Sequence, residues 1–265
     1  MKAFLKLTAI SMQSHMYYRT SFILNLFTPL VLLGGQYLLW PALYGQQAGG
    51  AIGGVAREEM YAYILIAFGL NNLLGWSTEN VLAREIRSGS VVSRCIRPVS
   101  FLVQAVSEMA GAILLQSLVN LIIVTAGFLC FGKYMAAPRL GSVLLFIPCF
   151  ILSVLLRIML VEVFSLLCFF STGHLGITWT RIALYEFFSG AMLPVAMFPV
   201  WLKNFTYMTP FPYMLQIPVG LLLGQELPVS LPMIYLGQLA WLAAFILLHS
   251  LIYSRVRKNL MIAGG

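Results

Sequence analysis

Apolar residues run along this chain in stretches of about twenty, separated by short pieces that hold most of the charges. The stretches fit six spans at about 21–44, 59–83, 102–131, 140–170, 182–199 and 230–253. None shows the period-two alternation of a strand, and backbone groups in lipid must pair within their own segment, so the pattern predicts an all-α polytopic membrane protein. Residues 1–19 carry Lys2, Lys6 and Arg19 with Phe4, Leu7 and Ile10 at helical spacing, which predicts an interfacial helix rather than a signal peptide. The whole of 1–265 reads as one transmembrane domain.

Two stretches depart from simple spanning. A helix from Leu140 to Phe170 would be roughly 46 Å long at 1.5 Å per residue, against a hydrocarbon core of about 30 Å, so it must tilt, kink near Pro148 or project beyond the bilayer. Seven of the twelve prolines, Pro194, Pro199, Pro210, Pro212, Pro218, Pro228 and Pro232, then crowd one apolar stretch. Proline breaks helices, so 200–228 is expected as short external re-entrant pieces, with 213–224 too short to cross.

Composition agrees with the pattern: 60% of residues are hydrophobic and 9% charged. Sixteen Lys and Arg stand against eight Glu, with no aspartate, for a net charge of +8. The surplus is read as topology and lipid contact, not as nucleic-acid binding. With the N-terminus inside, Lys2, Lys6, Arg19, Arg84, Arg87, Arg94, Arg97, Arg181, Arg255, Arg257 and Lys258 are cytoplasmic. Only Arg57, Lys133, Arg139 and Lys203 then lie outside, which favours two cytoplasmic termini.

Several chemical signals fail on their surroundings. "GFLCFGKY" (127–134) copies most of a phosphate-binding loop, but Tyr134 replaces the required hydroxyl and a span precedes it. Cys95, Cys130, Cys149 and Cys168 lack C-x-x-C spacing, and His15, His174 and His249 lie far apart, so no metal site is expected. "NFT" (204–206) is not read as glycosylated. Arg157 and Glu162 stand out because ionisable groups inside spans are costly and mark pathways or buried pairs. Five positions separate them, so their expected partners are on other helices: Asn71, Asn72, Glu108 and Glu186.

The longest polar interruption is "REIRSGSVVSRCIRP" (84–98). With the sequence after it, this segment closely resembles the R-x-I-R-S-G…R-P signature between the second and third spans of type-2 ATP-binding-cassette exporter permeases. "GGVAREEMYAYILIA", "FFSGAMLPVAMFPVWL" and "TPFPYMLQIPVGLLLG" resemble the same family in the same order. The ionisable pair in the fourth span departs from it.

The resemblance implies a subunit of an exporter in the bacterial inner membrane, with a second permease subunit beside it, identical or related. It also implies two cytosolic ATPase subunits beneath, which bind the ATP and Mg; this chain binds no cofactor. The loop after the second span would be the coupling element. There Arg84, Glu85 and Arg87 extend the span, Ser88 and Gly89 turn, Val91, Val92 and Ile96 offer apolar anchors, Arg94 and Arg97 offer charge, and Pro98 stops the element. Asn71, Asn72, Arg157, Glu162 and Glu186 are candidates for the pathway. Pro194, Pro199, Pro210, Pro212 and Pro218 belong to an external gate. A secondary carrier is the alternative, weakened because no internal repeat is present.

Overall fold

The computed structural model describes residues 2–17, 19–45, 51–52, 55–72, 78–131, 139–171 and 174–263. Lys133 and Tyr134 of the loop look-alike and positions 73–77 of the second expected span lie outside these residues.

Apart from a two-residue antiparallel ladder, Ala51–Ile52 with Val55–Ala56, the regular structure is helical. The helices are α1 (Lys2–Tyr17), α2 (Arg19–Gly45), α3 (Arg57–Asn72), α4 (Thr78–Ser88), α5 (Val92–Cys95) and α6 (Phe101–Phe131). They continue with α7 (Leu140–Leu167), α8 (His174–Phe188), α9 (Val200–Tyr207), α10 (Gln216–Leu223) and α11 (Leu231–Ala263). Among the described residues, three helical stretches are long and apolar enough to cross a membrane: Phe101–Leu129, Leu140–Leu167 and Leu231–Arg257. The first and third of them turn leucines outward, Leu118, Leu121 and Leu129 on α6 and Leu236, Leu239, Leu247 and Leu251 on α11. Water would penalise such faces and lipid would not.

Two expected boundaries are corrected. The fifth expected span, 182–199, corresponds to α8, which covers His174–Phe188 instead. Gly190, in the left-handed region at φ 88°, ends it, and Pro194 then leads a single 3-10 turn at Val195–Met197. Its first half holds the polar Thr178 and Arg181, which are buried against the protein, so hydropathy placed the helix too late. The second expected span contains two helices, α3 and α4, and α4 is strongly amphipathic with Leu82 and Ala83 buried.

α7 is the central element. Its first half keeps Leu140, Leu144 and Ile151 exposed, whereas from Leu156 to Val163 every residue is buried. Pro148 lies inside the helix, and Tyr235 Oη on α11 donates to the Leu145 carbonyl at 2.7 Å in the turn before it. The excess length is used at the other end, where Leu166 packs with Leu82, Val91 and Phe101.

The chain ends its long elements alternately at two poles. At one, Phe101 meets Phe169 edge to face and Tyr253 at a tilt, bringing together the start of α6 and the ends of α7 and α11. At the other, Tyr44 Oη donates to the Val55 carbonyl at 2.9 Å, closing α2 onto the ladder before α3. α1 lies along α6, close enough that a Cβ on Gly111 would meet the Thr8 carbonyl at 2.6 Å. Ser11 Oγ donates to the Glu108 carbonyl at 2.7 Å in the same contact.

Candidate functional site

The charged turn at the first pole is built by helix-ending chemistry. α4 stops at Ser88, Gly89 takes φ 72°, and the Gly89 and Val91 amides donate back to the Ile86 and Glu85 carbonyls, each at 3.2 Å. α5 is one helical turn, and Gln104, wholly buried on α6, donates from Nε2 to the Arg94 and Val99 carbonyls at 2.9 and 2.8 Å.

This arrangement separates residues that look alike in the sequence. Arg84, Arg87, Ser88, Gly89, Val92, Ile96, Arg97 and Pro98 are exposed, with Val92 at 56% and Ile96 at 78%. Arg87 Nη2 donates to His174 Nδ1 at 2.8 Å, and Arg97 Nη1 reaches Gln104 Oε1 at 3.4 Å. Val91 is turned inward, 3% exposed, so it anchors the turn to the protein's own core. Arg94 is also inward, 7% exposed: it grips the Glu85 carboxylate with Nε and Nη2 and donates from Nη2 to Glu108 Oε2 at 2.8 Å. Burial pushes the Arg94 guanidinium down, but Glu85 and Glu108 outweigh it, holding its pKa above the ordinary value and keeping it charged.

A polar network crosses the helices further along. Arg157 Nη1 donates at 3.0 Å to the Asn71 carbonyl and to Tyr185 Oη, and its guanidinium lies 4.0 Å from the Tyr185 ring centroid. Asn71 Nδ2 donates to Glu186 Oε1 at 3.0 Å. Asn72 Nδ2 instead donates to Asn120 Oδ1 at 2.8 Å, and Asn120 Nδ2 to the Gly69 carbonyl at 3.2 Å. Arg157, Asn71 and Glu186 thus meet, Asn72 pairs separately with Asn120 on α6, and Glu162 sits apart. It is 1% exposed and lines a small cavity with Arg94, Glu108 and Ser165. Another cavity, of about 40 Å³, lies between α2, α3 and 191–194, with Gln36, Tyr63 and Asn71 in its wall. That volume suits a water molecule or two.

The proline-rich segment is fastened at the opposite pole. Pro199 precedes α9, Pro212 starts a 3-10 turn and Pro218 falls in the first turn of α10, where missing amides cost little. Pro194, Pro210, Pro212 and Pro218 are buried. α10 packs on α3 and α7, with Ile217 and Val219 in the core. Tyr63 Oη lies 2.6 Å from both the Gly190 carbonyl and Gln216 Oε1, and the Val195 amide donates to the same Gln216 oxygen at 3.2 Å. Ser153 Oγ and Gln238 Nε2 donate to the Tyr213 carbonyl at 2.7 and 3.1 Å.

Sequence reasoning missed Tyr63, Gln104, Tyr185, Gln216 and Gln238. The signal available was a single amide or phenol inside an apolar run, which must find a partner once buried.

A family model described as ABC-2 family transporter protein matches residues 30–264. No curated protein matches the chain.

Proposed function

Because the chain belongs to the ABC-2 transporter family, and is thereby a permease subunit of an ABC transporter, we propose that it lines an export pathway in the bacterial inner membrane and is driven by cytosolic ATPase subunits. In this reading the chain crosses six times with both termini in the cytoplasm, pairs with a second permease subunit, identical or related, and stands on two ATPases that bind the ATP and Mg. The alternation of the long elements between two poles supports six crossings, since each return brings the chain back to the charged pole.

The observation that carries the reading is the outward face of the charged turn. Arg84, Arg87 and Arg97 are exposed with Val92 and Ile96 on an element that the buried Val91 and Arg94 anchor to the protein. Exposed apolar side chains on the same short element as exposed arginines fit a socket with apolar and acidic parts, because arginine makes bidentate bonds to carboxylates. Lipid alone would not require such an element to be rigidly seated. The segment 194–228 acts as an external cap on the pathway, and Arg157, Asn71, Asn72 and Glu186 border its middle. Glu162 lies at the cytoplasmic end.

The test is co-purification in mild detergent. The chain is expected to retain a soluble ATPase and raise its hydrolysis rate, and Arg84→Glu with Ile96→Asp to release it. Normal retention by that double variant would overturn the docking assignment.

A further inference from the structure

We propose that Arg94 is a positioning residue which locks the charged turn to α6, so that movement imposed on Val92 and Ile96 is delivered to α6 and α1 instead of being absorbed at Gly89. The inference rests on the proposed coupling role of this element.

The turn contains its own hinge. Gly89 is exposed, adopts φ 72° and has open space around it, so α5 could swing on α4 if nothing else held it. Beyond the backbone and serine bonds of the turn itself, three contacts oppose the swing. Val91 is sunk among Leu82, Phe101 and Leu166, and Gln104 holds the Arg94 and Val99 carbonyls. The third is Arg94 itself, whose guanidinium bridges Glu85 on α4 and Glu108 on α6 from a position 7% exposed. That contact ties all three helices through one rigid planar group, and a planar fork holds orientation better than a single-point ammonium can. Force also has an onward path, because the Glu108 carbonyl accepts from Ser11 on α1 and Gly111 lies against Thr8. Loss of both carboxylates would leave a guanidinium only 7% exposed without its ion partners, which opposes opening of the turn through the cycle.

The experiment measures distance between spin labels at exposed Ser93 and Leu118, with all four native cysteines replaced and labelled chain diluted by unlabelled. In the wild-type complex one narrow distance should persist with and without ATP and vanadate. Arg94→Lys and Glu108→Gln, which keep size and most polarity, should broaden it. They should also lower stimulation of the ATPase by about tenfold, an ordinary coupling between sites, while the amount of ATPase retained stays unchanged. The swapped pair Arg94→Glu with Glu108→Arg should recover part of the stimulation. A narrow distance in both single variants, or a broad one in the wild type, overturns the proposal. If the wild-type chain retains no ATPase, the export reading falls, whereas the label distances in the permease alone still decide whether Arg94 locks the turn. Should Arg94→Lys fail to fold, Glu108→Gln decides alone.

Discussion

Tyr63 on α3 and Gln216 on α10, 153 positions apart, meet in the core with the phenol oxygen 2.6 Å from the amide oxygen. Gly190 closes the same knot, its carbonyl 2.6 Å from the phenol. One buried hydroxyl therefore ties Gly190 and Gln216, on either side of the proline-rich turns, to α3. Tyr63→Phe should destabilise the protein by about 1–3 kcal/mol, since it leaves buried acceptors short of a donor. Gly190→Ala should cost more, because φ is 88° and the added carbon would lie 2.5 Å from Gln216 Oε1. Thermal or denaturant unfolding in detergent measures both, and an unchanged midpoint in Gly190→Ala would contradict this packing.

Substitutions in the charged turn should separate stability from ATPase capture. Val91→Ala removes two buried methyl groups among Leu82, Phe101 and Leu166, so it should lower stability by about 2 kcal/mol. Ile96→Ala removes a side chain 78% exposed and should leave the unfolding midpoint within about 0.5 kcal/mol while weakening ATPase capture. Pull-down and unfolding curves on the same two preparations decide whether the two positions differ in this way.

How much of this the sequence discloses depends on the range of the deciding contact. Ser88 and Gly89 announce a turn, and the prolines announce broken helices, because these are local backbone effects. The four arginines of the turn cannot be told apart locally. A glycine at positive φ followed by one helical turn defines no face, and what draws Arg94 inward is Glu108, fourteen residues on. Arg157 shows the same limit. Its helix and its need for outside partners are legible, and Asn71 is among the named candidates. The contact, however, is through the Asn71 carbonyl, together with a Tyr185 that hydropathy treats as part of an apolar run.

α11 meets the proline-rich segment at Tyr213. Gly237 faces Tyr213 so closely that a Cβ would lie 2.7 Å from the ring. The neighbouring Gln238 holds the Tyr213 carbonyl. Gly237→Ala should cost about 1–3 kcal/mol by overpacking. Gln238→Leu should cost a similar amount, leaving one donor fewer for the Cys149 and Tyr213 carbonyls. Both variants should speed proteolysis or labelling in 200–227 if the cap is loosened, and unaltered labelling would show that other contacts hold it.

At Arg157 two substitutions that look conservative to different degrees should reverse their usual order. Lysine keeps the charge buried, yet it lacks the planar group that lies on Tyr185 while Nη1 reaches both the phenol and the Asn71 carbonyl. Methionine loses those bonds too, but it fills similar length and removes the charge, whose desolvation is the largest cost at a site 6% exposed. Arg157→Met should therefore unfold at a higher temperature than Arg157→Lys, even though lysine is chemically nearer to arginine. Measured in detergent at one pH, the opposite order would mean that Glu186, held to Asn71 at 3.0 Å, supplies enough compensating charge to favour any cation there. The double variants with Glu186→Gln test that clause, because the amide oxygen still accepts from Asn71 while the negative charge is gone. Under desolvation control the gap between methionine and lysine persists in that background, and under charge compensation it reopens in favour of methionine only there.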